Sequence, residues 1–156
     1  MLFINFKQTI FALFLVLSFG SSLKSQPNIL WITAEDMSPV LGSYGDTDAI
    51  TPNIDKLSKQ SIKFTNAFAS APVCSPSRSC LIQGALPPSM GTQHMRSGFP
   101  LPSSFTGFPA LLRKNGYYTT NNVKTDYNSG NYQQIIEKSW NENSSTAHWR
   151  KREKKE

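Results

Sequence analysis

The sequence predicts an α/β fold: part of a mostly parallel or mixed central sheet flanked by helices, incomplete in this chain. Three observations carry this. Asn28-Ile29-Leu30-Trp31-Ile32-Thr33 is a short apolar run, the pattern of a buried strand. Ile62 to Phe68 alternates apolar and polar side chains, the period of a half-buried strand. Helix signals stand between and after these runs, at Thr51-Pro52, at Ser75-Pro76 and at Phe108-Pro109. Strands alternating with helices imply a sheet covered on both faces.

The elements follow in order. Residues 1–25 stand apart from the rest. Lys7 is the only charge before Lys24, an unbroken apolar run extends from Ile10 to Leu17, and small residues follow at Gly20, Ser21 and Ser22. This is the pattern of a secretory signal peptide. The run is short for a span of about 20 residues, so cleavage between Gly20 and Ser25 is expected, with no stable membrane span afterwards and a secreted or periplasmic product. An uncleaved anchor is the alternative. The first strand then ends abruptly at Glu35-Asp36, and Gly42 and Gly45 mark a loop. Thr51-Pro52 opens a helix with Ile54 and Leu57 on one face. After the alternating strand, Ser75 suits a helix cap, Pro76 the first helical position and Gly84 the stop. Residues 84–107, rich in Gly, Pro and Ser, read as a long surface loop. Phe108 to Asn115 reads as a short helix ended by Gly116, and Tyr117 to Val123 as a strand that delivers Lys124. From Ser129 the chain is polar and weakly patterned. The expected organisation is a leader at 1–25, a partial domain at 26–128 and a polar, basic segment at 129–156 that continues into a missing remainder.

The net charge of +6 is unevenly spread. Lys7 and Lys24 lie in the leader, and Arg150, Lys151, Arg152, Lys154 and Lys155 face only Glu153 and Glu156 at the end. The body is nearly neutral, so no nucleic-acid partner is expected. The two cysteines, Cys74 and Cys80, would close a very small loop of poor geometry across a helix start. Two unpaired cysteines are expected, with Cys80 facing the core.

Ligands of such sheets gather outside the carboxyl ends of the strands. Glu35 and Asp36 stand at one such end and Lys124 at another. Adjacent acids there could hold a hard divalent cation such as Ca²⁺ or Mg²⁺, or simply form an exposed turn. Cys74 stands just before a helix start, where free amides and the positive dipole end favour anions, and Arg78 lies in the first turn. A potential nucleophile, an anion site and a fixed positive charge converge.

At Cys74, Pro76, Ser77, Arg78, Leu81 and Gly84 the chain resembles the signature of the sulfatase family. Pro27-Asn28 through Glu35-Asp36 is similar to the family's opening strand. Thr51 to Leu57 and Phe64 to Ala67 are similar to its next helix and strand, read as scaffold. The resemblance covers residues 27 to about 128. It implies an alkaline-phosphatase-like fold and cleavage of sulfate esters, with sulfated carbohydrate as the expected substrate class. It implies that a maturation enzyme converts Cys74 to formylglycine, whose hydrate supplies one hydroxyl to attack sulfur and a second to expel sulfate. It assigns Ca²⁺ (or Mg²⁺) to Glu35, Asp36 and residue 74, gives Arg78 the task of holding the hydrate, and sets Lys124 on the sulfate. Two departures stand out: Glu35 where aspartate is usual, and Asp126 where histidine would stand. The second leaves the leaving-group acid unassigned, with His94 as the local candidate; His148 beside Trp149 reads as structural. Relatives run to several hundred residues and place their remaining metal ligands far downstream, so this chain reads as the amino-terminal part of a sulfatase, poorly stable and inactive alone. The alternatives are a phosphodiesterase or phosphonate hydrolase of similar fold and a non-catalytic anion-binding module. Asn143-Ser144-Ser145 fits a glycosylation acceptor if the host glycosylates.

Overall fold

The computed structural model describes residues 26–153. The expected leader, its cleavage point and the last cations of the tail, Lys154 and Lys155, lie outside the described residues. The chain divides into two compact units, Met1–Ala34 and Glu35–Glu156.

In the first unit, residues 26–34 are exposed and carry no strand. The strand expected at Asn28–Thr33 is therefore not formed. An apolar run becomes a strand only when a neighbour takes its N–H and C=O groups in a ladder, and among the described residues no ladder includes 28–33.

The second unit begins with a 3-10 turn, Gly42–Tyr44, and helix α1, Pro52–Ser58. Asp55 ties the two together. Its carboxylate accepts from Ser43 N at 2.7 Å and from Thr51 Oγ1 at 3.0 Å. The strand expected at Ile62–Phe68 is also absent: Ile62, Phe64 and Phe68 are exposed, and alternation without a partner strand leaves the run irregular.

Helix α2 spans Cys74–Gln83 and stops at Gly84, which takes the left-handed conformation (φ 66°) that glycine accepts without cost. The segment 84–107 is not a pure surface loop. Pro87–Met90 forms a one-turn helix, α3, capped by left-handed Gly91, and Met90 and Leu101 belong to the core. Helix α4 covers Phe108–Lys114. The strand expected at 117–123 shrinks to β1, Thr120–Asn121, the two residues that find a partner strand, and Val123 beyond them turns into the left-handed region (φ 64°). Helix α5, Tyr132–Ser139, and strand β2, Glu142–Asn143, arise in the stretch that reads as unpatterned, and Trp149–Lys151 adds a 3-10 turn.

β1 and β2 pair in parallel, with Thr120 opposite Glu142 and Asn121 opposite Asn143, and α5 is the crossover between them. Side chains extend the short ladder: Thr119 N donates to Asn141 Oδ1 at 2.9 Å and Thr119 Oγ1 to Ser139 O at 2.7 Å. The described second unit is thus a small α/β assembly of two parallel strands and helices. Its core is Cys80, Ile82, Met90, Leu101, Tyr127 and Ile135. Cys80 faces that core, and both cysteines are free.

Candidate active site

Helix α2 starts at Cys74, two residues before the start that Ser75-Pro76 suggests. Val73 is the cap, without a side-chain bond, and its carbonyl accepts from Ser77 N at 3.1 Å. Pro76 falls among the first four residues, whose N–H groups have no intrahelical partner, so its missing N–H costs nothing there. Ser75 does not cap because its hydroxyl is used elsewhere.

Residues four apart share one helix face. Two such pairs lie side by side in the first turns of α2, and both turn toward residues 123–128. Cys74 and Arg78 form the reactive pair. Cys74 Sγ donates to Asp126 Oδ2 at 3.3 Å. Arg78 donates from Nε to Thr125 O at 2.8 Å and from Nη2 to Lys124 O at 2.6 Å. Ser75 and Ser79 form the docking pair. Ser75 Oγ lies 3.2 Å from Asp126 O and 3.1 Å from Asn128 Oδ1, and Ser79 Oγ accepts from Asn128 N.

The facing segment is bent sharply. Val123 (φ 64°) and Asp126 (φ 46°) both occupy the left-handed region, where a β-branched residue is a genuine outlier. Such conformations cost about 1–3 kcal/mol each and persist where surrounding contacts over-determine them. Here the bends aim the carbonyls of Lys124 and Thr125 at the Arg78 fork.

Lys124 Nζ is paired with both carboxylate oxygens of Glu35. That carboxylate holds the Lys124 ammonium above the usual lysine range, with Arg78 opposing. Tyr127 is buried directly behind the site. Burial pushes its phenol up, partly offset by Trp140 Nε1, which donates to Tyr127 Oη at 3.1 Å.

Asn128 has no motif around it in the sequence. It is buried, and its amide makes all four bonds available to it. Oδ1 accepts from Ser75 Oγ and from Ser97 N, while Nδ2 donates to the carbonyls of Thr92 and His94. The i, i+4 serines of α2 were the available signal: two small hydroxyls on one face invite a polar partner.

The structure therefore brings Cys74, Arg78, Lys124, Glu35 and Asp126 into one linked cluster. His94 joins it through its backbone oxygen, and its side chain is exposed. Asp36 is exposed and left-handed (φ 52°). Among the described residues no three His, Cys, Asp or Glu side chains come together as a cation site. With Glu35 turned to Lys124, the set Glu35, Asp36 and Cys74 does not fit a divalent ion as placed.

The model of the Sulfatase family matches residues 27–155. An ulvan-active sulfatase of Formosa agariphila is 38% identical over 142 residues, covering 83% of this chain and 23% of the relative. Iduronate 2-sulfatase of Mus musculus is 39% identical over 101 residues, 64% of this chain and 18% of the relative. Arylsulfatase A of Bos taurus is 37% identical over 120 residues, 72% of this chain and 23% of the relative. The chain spans about a quarter or less of the length of these relatives. No solved structure matches it.

Proposed function

This chain belongs to the sulfatase family, and from that premise we propose that it supplies the amino-terminal part of a sulfuric ester hydrolase acting on sulfated carbohydrate. The observation that carries the reading is the linkage of Cys74 and Arg78, on one face of α2, to the Lys124–Asp126 segment. Iduronate 2-sulfatase, a relative named for a sugar acid, favours carbohydrate as the substrate class. The family model and the relatives do not favour the phosphodiesterase or phosphonate-hydrolase alternative.

In this reading Cys74 is the residue matured to formylglycine, which supplies a carbon able to carry both the attacking and the expelling hydroxyl. Arg78 fixes its own charge at that carbon by giving two of its donors to backbone carbonyls, so it need not reorganise as the sulfate binds. Lys124 is the mobile cation: its partner is an exposed carboxylate, from which an incoming sulfate oxygen can recruit it. His94 is proposed as the leaving-group acid, on a loop whose backbone is anchored by Asn128. The family uses a metal in general, but no step is assigned to one here, because Glu35, Asp36 and Cys74 do not assemble a cation site. Secretion through the leader belongs to the same proposal. Among the described residues no helix is long and apolar enough to cross a membrane.

The test is mass spectrometry of the Cys74 peptide from the chain co-expressed with a maturation enzyme. Formylglycine lowers the peptide mass by about 18 Da, whereas ordinary thiol oxidation raises it. The loss is the expected result. An intact thiol beside a converted control sulfatase would replace the enzyme with a non-catalytic anion-binding protein.

A further inference from the structure

Asp126 stands where an acid is least expected, beside the residue that meets the anionic ester. Its place is rigid. Its carboxylate accepts from Cys74 Sγ at 3.3 Å, its own carbonyl lies 3.2 Å from Ser75 Oγ, and its backbone is left-handed. The preceding carbonyl is held by Arg78 Nε, and the following Tyr127 and Asn128 are buried. The backbone that carries the carboxylate is therefore fixed beside the tip of side chain 74. No cation of the described residues lies within ion-pair distance of Asp126: Lys124 is paired with Glu35, and Arg78 donates to the carbonyls of Thr125 and Lys124.

A fixed negative charge beside the reacting residue repels a doubly charged ester more than a singly charged one. A sulfate monoester carries one negative charge. A phosphate monoester, with its second pKa near 6, carries close to two above neutral pH. We infer that Asp126 is a specificity-determining residue, whose carboxylate, held against residue 74, admits singly charged sulfate esters and turns away doubly charged phosphate esters. This rests on the sulfatase reading for the identity of the site, but its readout is independent of turnover.

Asp126→Asn tests it, because asparagine has the same shape, tolerates the left-handed conformation and can still accept from residue 74. Phenyl sulfate and phenyl phosphate at pH 8 are the probes. In the full-length protein expressed without the maturation enzyme, where Cys74 keeps its thiol and binds without turning over, the Kd for each ester is measured by calorimetry with and without Asp126→Asn. In the matured full-length protein the two kcat/KM values are compared in the same way. Parent and variant are compared at the same cation concentration.

The expected result is a fall in the preference for sulfate over phosphate by about tenfold or more, the scale of a like-charge contact in a partly solvated site, with Asp126→Glu retaining most of the parent preference. A preference unchanged within about threefold, with both esters weakened equally, would make Asp126 a packing residue and overturn the inference. Absence of phenyl sulfate turnover in the matured parent would instead sink the sulfatase reading, while the Kd ratio still decides what Asp126 does.

Discussion

Asn128 uses every hydrogen-bonding position its side chain has, and does so where water does not reach. It joins helix α2 to the loop that carries His94 and to the segment that carries Asp126. Replacing its NH₂ by a carboxylate oxygen turns two donors into acceptors that face the carbonyls of Thr92 and His94. Buried groups left without partners cost about 1–3 kcal/mol each, more when charged. Asn128→Asp in the full-length protein is therefore expected to lose about 3 kcal/mol or more of stability, and Asn128→Ala somewhat less, read as a shift of the urea midpoint. Equal stability of parent and Asn128→Asp would mean that the amide network is incidental. The contrast between Asn128 and Cys74 shows what the sequence makes legible at this scale. Cys74, Arg78 and Lys124 can be named from it because they stand in recognisable chemical patterns. Asn128, in Tyr127-Asn128-Ser129-Gly130, reads as an ordinary turn, since the partners that make it a hub lie tens of residues away.

At the scale of elements, the docking of α5 rests on a backbone-to-backbone approach. A Cβ built on Gly130 would lie 2.1 Å from Gly98 O and 2.9 Å from Gly98 C, and Gly130 N donates to Phe99 O at 3.0 Å. Nothing there is a flexible side chain that can move aside. A Cβ on Gly98, by contrast, meets nothing within 4 Å. Gly130→Ala should cost about 1–3 kcal/mol, as overpacking does, while Gly98→Ala should stay near the roughly 0.5 kcal/mol typical of unconstrained surface positions. Thermal unfolding of the two variants checks this; similar losses would remove the close approach as the cause. The same scale explains which elements the sequence discloses. Helices α1 and α4 begin at or next to a proline, a local signal that needs no distant partner. Strands have no such autonomy. Among the described residues the runs at 28–33 and 62–68 have strand composition without a ladder, and β1 survives for two residues because β2, brought back by α5, pairs with it. Helix α5 escapes a reading by composition because only Ile135, among its polar neighbours, is a core residue.

At the scale of the whole molecule, the surface carries the clearest consequence. Ile50, Ile62, Phe64 and Phe68 are 91%, 84%, 67% and 89% exposed. Burying an aliphatic or aromatic side chain of this size is worth about 1.5–3 kcal/mol, so four of them in water form a strong drive toward association. Their spacing sharpens it, since Ile62 to Phe68 is an apolar-alternating segment in no ladder of the described residues, its Phe64 carbonyl accepting only from Tyr44 Oη, and such a segment can pair with another chain. The core behind them is small, six buried residues with a rim of partly buried ones, and offers little stability to set against that drive. Residues 26–156 expressed alone are therefore expected to bind a hydrophobic dye, to sediment as associated species, and to turn over no sulfate ester. Phe64→Lys with Phe68→Lys should reduce association without restoring turnover, because those positions lie outside the Cys74 cluster. A monomeric, dye-silent product would show that these side chains find cover within the chain itself. A monomeric product that also cleaves sulfate esters would go further, since it would mean that Cys74, Arg78, Lys124 and His94 suffice for the chemistry without the three-quarters of length by which the curated relatives exceed this chain.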